Sequence, residues 1–328
     1  MSQTMTALLG GTGPDWEARE VAVPEPGPGQ VLVRARAVAL NNADVHMLAD
    51  AYDPATGRGK EYVAGFEFAG EVVALGPGAD RVAVGERIMG TTQGAFAQYV
   101  LADHRHVLRI PEGLDDEEAA ALPTGLLTEH GALEVGGFRP GQSVLITGAT
   151  SSIGLIGVQI AKALGAKTVV ATSRSAAKED LLKDAGADVV VVPPERDLTA
   201  AVLETTDGEG VDLVLDHVGG QTLADCLAAT RVDGNLVNIG RLDTAEATIN
   251  LDSLSYRHLR LQGVSFGFSR AEELGNVIAA LVPDVIPAVA DGRVRPVIDS
   301  VFTFGQATDA ADRLRSNQSR GKIVLTQV

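Results

Sequence analysis

The chain predicts an α/β protein: a doubly wound parallel sheet with helices on both faces, joined to a discontinuous β-rich, barrel-like domain. Three observations predict it. The N-terminal part carries short runs of period-two apolar alternation separated by turn formers. After Pro111, strand and helix signals alternate. The first strand and helix of that alternation are joined by a turn of small residues.

Val31–Val38 alternates with a period near two and follows the turn-forming run Pro24–Gly29. Phe68–Leu75 is a second strand, closed by Gly76, Pro77 and Gly78. Val84–Met89 and Ala95–Val100 follow closely, and short strands at this spacing suit a compact barrel. Asp115–Leu122 starts a helix with acids in its first turn, where the helix dipole favours them. Strands are then expected at Ser143–Thr147, Thr168–Thr172, Val189–Val192, Val211–Asp216, Asn235–Ile239 and Leu259–Val264. Helices are expected at Gly154–Leu164, Ala176–Ala185, Leu198–Thr205 and Thr222–Thr230. The tail Val297–Val328 returns to a strand–helix–strand pattern and should rejoin the first domain. The expected division is therefore 1–121 with 267–328, and 122–266.

A length of 328 residues suits two domains, and 45% hydrophobic residues suffice for large cores. The formal net charge of −16 repels phosphate backbones and anionic lipid, so neither a nucleic-acid nor a membrane partner is expected. An anionic cofactor would need a local basic pocket. Cys226 is the only cysteine, which forbids an internal disulfide and a cysteine-based metal cluster. That usage fits a reducing cytoplasm, the expected location. No signal peptide or membrane-length apolar run is read.

The strongest chemical signal is Ser143–Gly165, an apolar strand running through small residues into an amphipathic helix. A small turn lets the backbone approach a pyrophosphate, and the helix N-terminus offers free N–H groups and the positive end of its dipole. The candidate contacts are Thr147, Gly148, Ala149, Thr150, Ser151, Ser152, Ile153 and Gly154. Ser151 and Ser152 stand where glycines are common, but serine is small and its hydroxyl can itself bond phosphate. At the end of the next strand, where an NAD-binding chain offers a carboxylate to the ribose, stand Ser173 and Arg174, with Lys178 four positions on. A carboxylate would repel a 2′-phosphate, whereas a guanidinium and a hydroxyl bind it, so NADPH is favoured over NADH.

Taken with Ala39–Asp44, Gly65–Gly70, Val84–Arg87, Val211–Gly220 and Arg320–Leu325, these residues resemble the medium-chain dehydrogenase/reductase superfamily, in its zinc-free quinone oxidoreductase and enoyl reductase branch. The likeness runs nearly end to end. It implies a Rossmann domain beside a GroES-like barrel, with NADPH as cofactor and a homodimer or homotetramer as the assembly. The strand near Leu259–Val264 is the candidate for pairing across a two-fold axis. Zinc-using members place Cys where Asn41 stands and His where Phe66 stands. Asn41 is a poor zinc ligand and Phe66 is none, so no metal is expected and Glu67 reads as a structural or cleft-lining acid.

Without a Lewis acid, the chemistry that remains is hydride addition to a conjugated carbonyl or quinone, with the protein stabilising an enolate and delivering a proton. In the zinc-free enoyl reductases that this segment resembles, a functional tyrosine lies eight positions after the Asp of an Asn-x-x-Asp motif, which is Tyr52 here. A phenol carries its proton in neutral water and can donate it. His46 is the other candidate donor. Asn41 is a candidate for orienting a carbonyl, and Asp44 for bonding a backbone amide or Arg87. The resemblance adds Thr124, Val218 and Gly240 to the cofactor-binding set. The leading expectation is an NADPH-dependent quinone or enone reductase. An enoyl-thioester reductase of a biosynthetic pathway and a non-enzymatic NADPH-binding structural or sensor protein remain as alternatives.

Overall fold

The computed structural model describes residues 3–53, 58–193 and 195–327. The chain divides into two units: 1–124 with 267–282 and 296–328, and 125–266 with 283–295.

In the second unit six parallel strands lie in the order Val189–Val191, Thr168–Thr172, Ser143–Ile146, Val211–Asp216, Thr230–Asn238, Arg260–Gly263. The chain starts in the middle, winds to one edge, returns and winds to the other. This leaves a switch point beside the C-terminal end of Ser143–Ile146, where doubly wound sheets bind ligands. Val144, Leu145 and Ile146 are fully buried, as strands covered on both faces must be. The expected α/β class and doubly wound sheet are what the structure has.

Several expectations change. The strands expected at Val84–Met89 and Ala95–Val100 begin later, as Arg87–Thr91 and Tyr99–Asp103, because Gly85 and Gly94, at φ +90° and +77°, hold turns ahead of them. The helix expected over Ala176–Ala185 is a 3₁₀ turn, Ala176–Lys178, followed by an α-helix, Glu179–Asp184. Ser175 caps the turn through Ala177 N, and Lys178, at φ −117° and ψ 15°, breaks the helical backbone between the two pieces. The stretch 283–295 also joins the second unit rather than the first. Arg295 N donates to Gln159 Oε1 at 2.8 Å and Gln159 Nε2 donates to Arg295 O at 2.9 Å, while Val285, Ala288 and Val289 are buried. Reciprocal hydrogen bonds to the helix Ser152–Ala163 thus draw this stretch back.

In the first unit the strand Gln30–Ala39 is central. It pairs antiparallel with Glu67–Leu75, Tyr99–Asp103 and the tail strand Lys322–Thr326, which brings Val324 opposite Ala39. Its core gathers Phe68, Phe96, Ile88, Leu40 and Leu48, with Trp16 edge-on to Phe96 at 5.4 Å. The antiparallel, β-rich character expected of this unit is present. Among the described residues no helix is long and apolar enough to cross a membrane.

Candidate functional site

In the second unit the strand Ser143–Ile146 ends in a turn whose geometry follows from its small residues. Gly148 has φ +58°, a left-handed conformation that a side chain disfavours. Its N–H donates to Thr172 Oγ1 at 2.9 Å, tying the turn to the neighbouring strand. Ser151 is the N-cap of the helix Ser152–Ala163, and its Oγ accepts from Gly154 N at 3.0 Å. The serine that stands where glycine is common therefore has a role of its own, capping the helix through its hydroxyl oxygen. The N–H groups of Ser152 and Ile153, at the first helical positions, have no intrahelical acceptor. Such an end binds anions.

Beside this turn Asp216 joins three strand ends. Its carboxylate is fully buried and accepts from Thr147 Oγ1 at 2.7 Å, Val218 N at 3.1 Å, Gly219 N at 3.1 Å and Asn238 Nδ2 at 2.8 Å. Val218 and Gly240 are thereby fixed in position, Gly240 through its N–H to Asp216 O at 3.1 Å. Sequence reasoning quoted Asp216 only within a motif; the signal was an acid closing an otherwise apolar strand. His217 was also missed. It is buried with Nε2 2.9 Å from Glu129 Oε1. Burial opposes its cation, but the Glu129 carboxylate outweighs that and holds the imidazole above its ordinary pKa. Room for Glu129 comes from Gly157, where a Cβ would lie 2.2 Å from Glu129 Oε2.

Ser173, Arg174 and Lys178 do not share one helix face. Ser173 is 3% exposed, and its hydroxyl donates to Ser175 O at 2.7 Å and accepts from Ser175 N at 3.2 Å. These bonds shape the loop that follows the strand. Arg174 is exposed, and no carboxylate pairs with it among the described residues. Because Arg174 precedes the Ser175 cap, it shares no helix face with Lys178.

In the first unit Asn41 precedes the helix Asn42–Asp50 and is 7% exposed. Its Nδ2 donates to Glu67 Oε1 at 2.8 Å, and its Oδ1 accepts from Lys322 Nζ at 2.6 Å. Lys322 Nζ also lies 2.5 Å from Glu67 Oε1, and Thr124 N donates to Glu67 Oε2 at 2.9 Å. All three side chains are buried, so Asn41 sits inside an ion-pair cluster. Asp44 accepts from Asn41 N at 2.7 Å, while Arg87 pairs with Asp116, not Asp44. Burial pushes Asp44 up to about 8, with the Asn41 N–H opposing and nearby Glu67 adding to the rise. Thr124 Oγ1 is buried with no partner among the described residues. His46 is exposed on the outer face of its helix. Tyr52 is half-buried and pairs with Gly59 in a short hairpin. Phe66 stacks on Phe268 at 6.0 Å.

Comparison with known proteins accords with these two units. Residues 27–112 match the alcohol dehydrogenase GroES-like domain, and residues 152–282 match the zinc-binding dehydrogenase family. The chain is 33% identical over 91% of its length to erythronolide synthase EryA2 of Saccharopolyspora erythraea, but spans only 8% of that protein. It is 32% identical to L-threonine 3-dehydrogenase of Pyrococcus horikoshii, over 81% of this chain and 84% of that one. A mycobacterial quinone oxidoreductase superposes with a TM-score of 0.85 at 29% identity, covering 98% of this chain and 99% of its own. Mycobacterial Rv1454c complexed with NADPH gives the same TM-score, identity and coverage, 0.85, 29%, 98% and 99%. The chain belongs to the medium-chain dehydrogenase/reductase superfamily, in its quinone oxidoreductase branch.

Proposed function

We propose that this protein is an NADPH-dependent reductase of quinones or α,β-unsaturated carbonyls that works without a catalytic metal. The observation that carries the reading is the turn Thr147–Gly154, a left-handed glycine and a serine-capped helix end at the switch point of the sheet. The NADPH complex of the mycobacterial neighbour supports the cofactor. Thr147, Ala149 and Thr150 shape the turn, and Gly148, Ser151, Ser152, Ile153 and Gly154 hold the pyrophosphate. Arg174 and Lys178 take the 2′-phosphate; Ser173 supports their loop. The backbone at Val218 and Gly240 completes the set within the second unit; in the first unit Thr124 Oγ1 has no partner among the described residues, which leaves it available to a ligand.

The donor set does not fit catalytic zinc. Both ends of the Asn41 amide and both oxygens of Glu67 are already engaged, and the Lys322 ammonium neutralises Glu67. Bound NADPH supplies hydride to the electron-poor carbon of the substrate. The negative charge that develops on the substrate oxygen must then be met by a protein donor. Tyr52 is that donor, its phenol giving the proton, with His46 as the alternative donor. Tyr52→Phe should lower turnover about 100-fold or more while NADPH affinity stays within about twofold. Steady-state oxidation of NADPH with a panel of quinones, enones and acyl thioesters, beside a cofactor titration, reads both. Unchanged turnover removes Tyr52 from the role.

Cofactor choice is tested separately. The unmodified protein should bind NADPH more tightly than NADH, and Arg174→Ala should shrink the preference about tenfold or more, matching loss of a charge-assisted contact. Equal affinities in the unmodified protein would refute the assignment of Arg174. A second reading, an enoyl-thioester reductase of a biosynthetic pathway, is favoured by the match of 94% of the chain to a pikromycin polyketide synthase component. The acyl thioesters in the panel decide between the two. The exposed edge strand Arg260–Gly263 supports a homodimer formed by pairing of two sheets.

A further inference from the structure

We propose that His130, Glu134 and Asp284 form a binding site for a divalent cation of the zinc class, separate from the cofactor turn. The helix Pro123–Val135 carries His130 and Glu134 four residues apart, on one face. Asp284 is the last residue of the helix Ala271–Asp284 and lies in the stretch that returns to the second unit. One nitrogen or oxygen from each of the three side chains lies within 4.8 Å of the others.

The His130–Asp284 spacing is compatible with a metal as well as with the long hydrogen bond it makes. His130 Nε2 and Asp284 Oδ2 are 3.3 Å apart. Two tetrahedral ligands about 2.0–2.1 Å from zinc are themselves separated by about 3.3–3.4 Å. A charge-assisted N–H···O bond is shorter, about 2.7–2.9 Å. Charge points the same way. Two carboxylates share this small volume, and among the described residues neither is paired with a lysine or arginine. His130 is 2% exposed and held in place by the core, whereas the Asp284 side chain is 45% exposed, so a hydrated ion can enter from solvent. Three protein ligands leave one position for water. Among the described residues His130 Nδ1 has no hydrogen-bond partner, so the outer support that strengthens metal-bound histidines is weak and the affinity is modest. The ion would pin the stretch 283–295 to the helix of His130 within one unit, stabilising the folded state by mass action.

The test uses the full chain, stripped with a chelator and titrated with ZnCl₂ by calorimetry, then with Co²⁺ by visible absorption. We expect one equivalent of Zn²⁺, a Co²⁺ spectrum of low coordination number, and a rise in melting temperature with Zn²⁺. Glu134→Gln and Asp284→Asn alter exposed groups and should each weaken binding about tenfold or more. His130→Ala should abolish it, and the two surface variants keep the test valid if that core change prevents folding. His258→Ala, at an exposed histidine elsewhere, should leave the affinity unchanged. No saturable binding near one equivalent, full affinity in both carboxylate variants, or equal loss in His258→Ala would each overturn the proposal. None of these readouts depends on NADPH or turnover.

Discussion

Lys322→Ala should destabilise the protein by about 3–5 kcal/mol, the cost of leaving a buried charge without its partner. Glu67 is fully buried, and its Oε1 sits 2.5 Å from Lys322 Nζ. Without the ammonium, only Asn41 Nδ2 and Thr124 N remain to hold the carboxylate. The loss approaches the whole stability of a typical domain, about 5–15 kcal/mol. Urea denaturation should show the midpoint falling sharply. Adding Glu67→Gln to Lys322→Met should restore part of the loss, because the double change removes both charges. A single variant within about 1 kcal/mol of the parent would mean that Glu67 is protonated in the fold and needs no cation.

Asp216→Ala should cost a similar amount and act on the other unit. Four donors converge on this carboxylate: Thr147 Oγ1, the N–H groups of Val218 and Gly219, and Asn238 Nδ2. Each buried donor left unmade costs about 1–3 kcal/mol, and because they share one acceptor the sum is sub-additive, so about 3–5 kcal/mol is expected. NADPH affinity should fall as well, since Thr147 and Val218 lose their common anchor. Denaturation with and without NADPH separates the two effects. Asp216→Asn should be milder, keeping an acceptor for Thr147 while setting its amide against the other donors. A change below about 1 kcal/mol in Asp216→Ala would show that water replaces the carboxylate without penalty.

The parts of the fold legible in the sequence were those governed by local pattern. The strand Thr168–Thr172 and the helix Leu198–Thr205 have the expected bounds, because an apolar run or a helical period is written in adjacent residues. The small turn after Ile146 was legible for the same reason. What escaped was set by distant partners. Lys322 reaches Asn41 across 281 positions, and no period or spacing relates them. The Ser173 hydroxyl also bonds Ser175 O, a local contact that residue type alone does not reveal. Glu129 and His217 looked like ordinary polar residues, and only a glycine on a third element makes space for their pair. The return of 283–295 depends on a glutamine side chain bonding the backbone near Arg295.

The buried titrating groups also tilt how this protein answers to acidity. His217 has its pKa raised in the fold, so its contribution is complete below its ordinary 6.5 and fades as alkali is added past the raised value. Asp44, raised from 3.8 to about 8, leans the same way, binding a proton more tightly folded than unfolded over that interval. Asp299 opposes them at the other extreme. The Arg313 guanidinium grips it at 2.8 and 2.9 Å and holds it near 2, a contribution lost only as strong acid protonates it. Melting temperatures across buffers should therefore peak in mildly sour conditions, roughly pH 5–6, and sag on the alkaline side, where growing negative charge adds self-repulsion. An optimum above pH 8 would contradict this balance of His217 and Asp44.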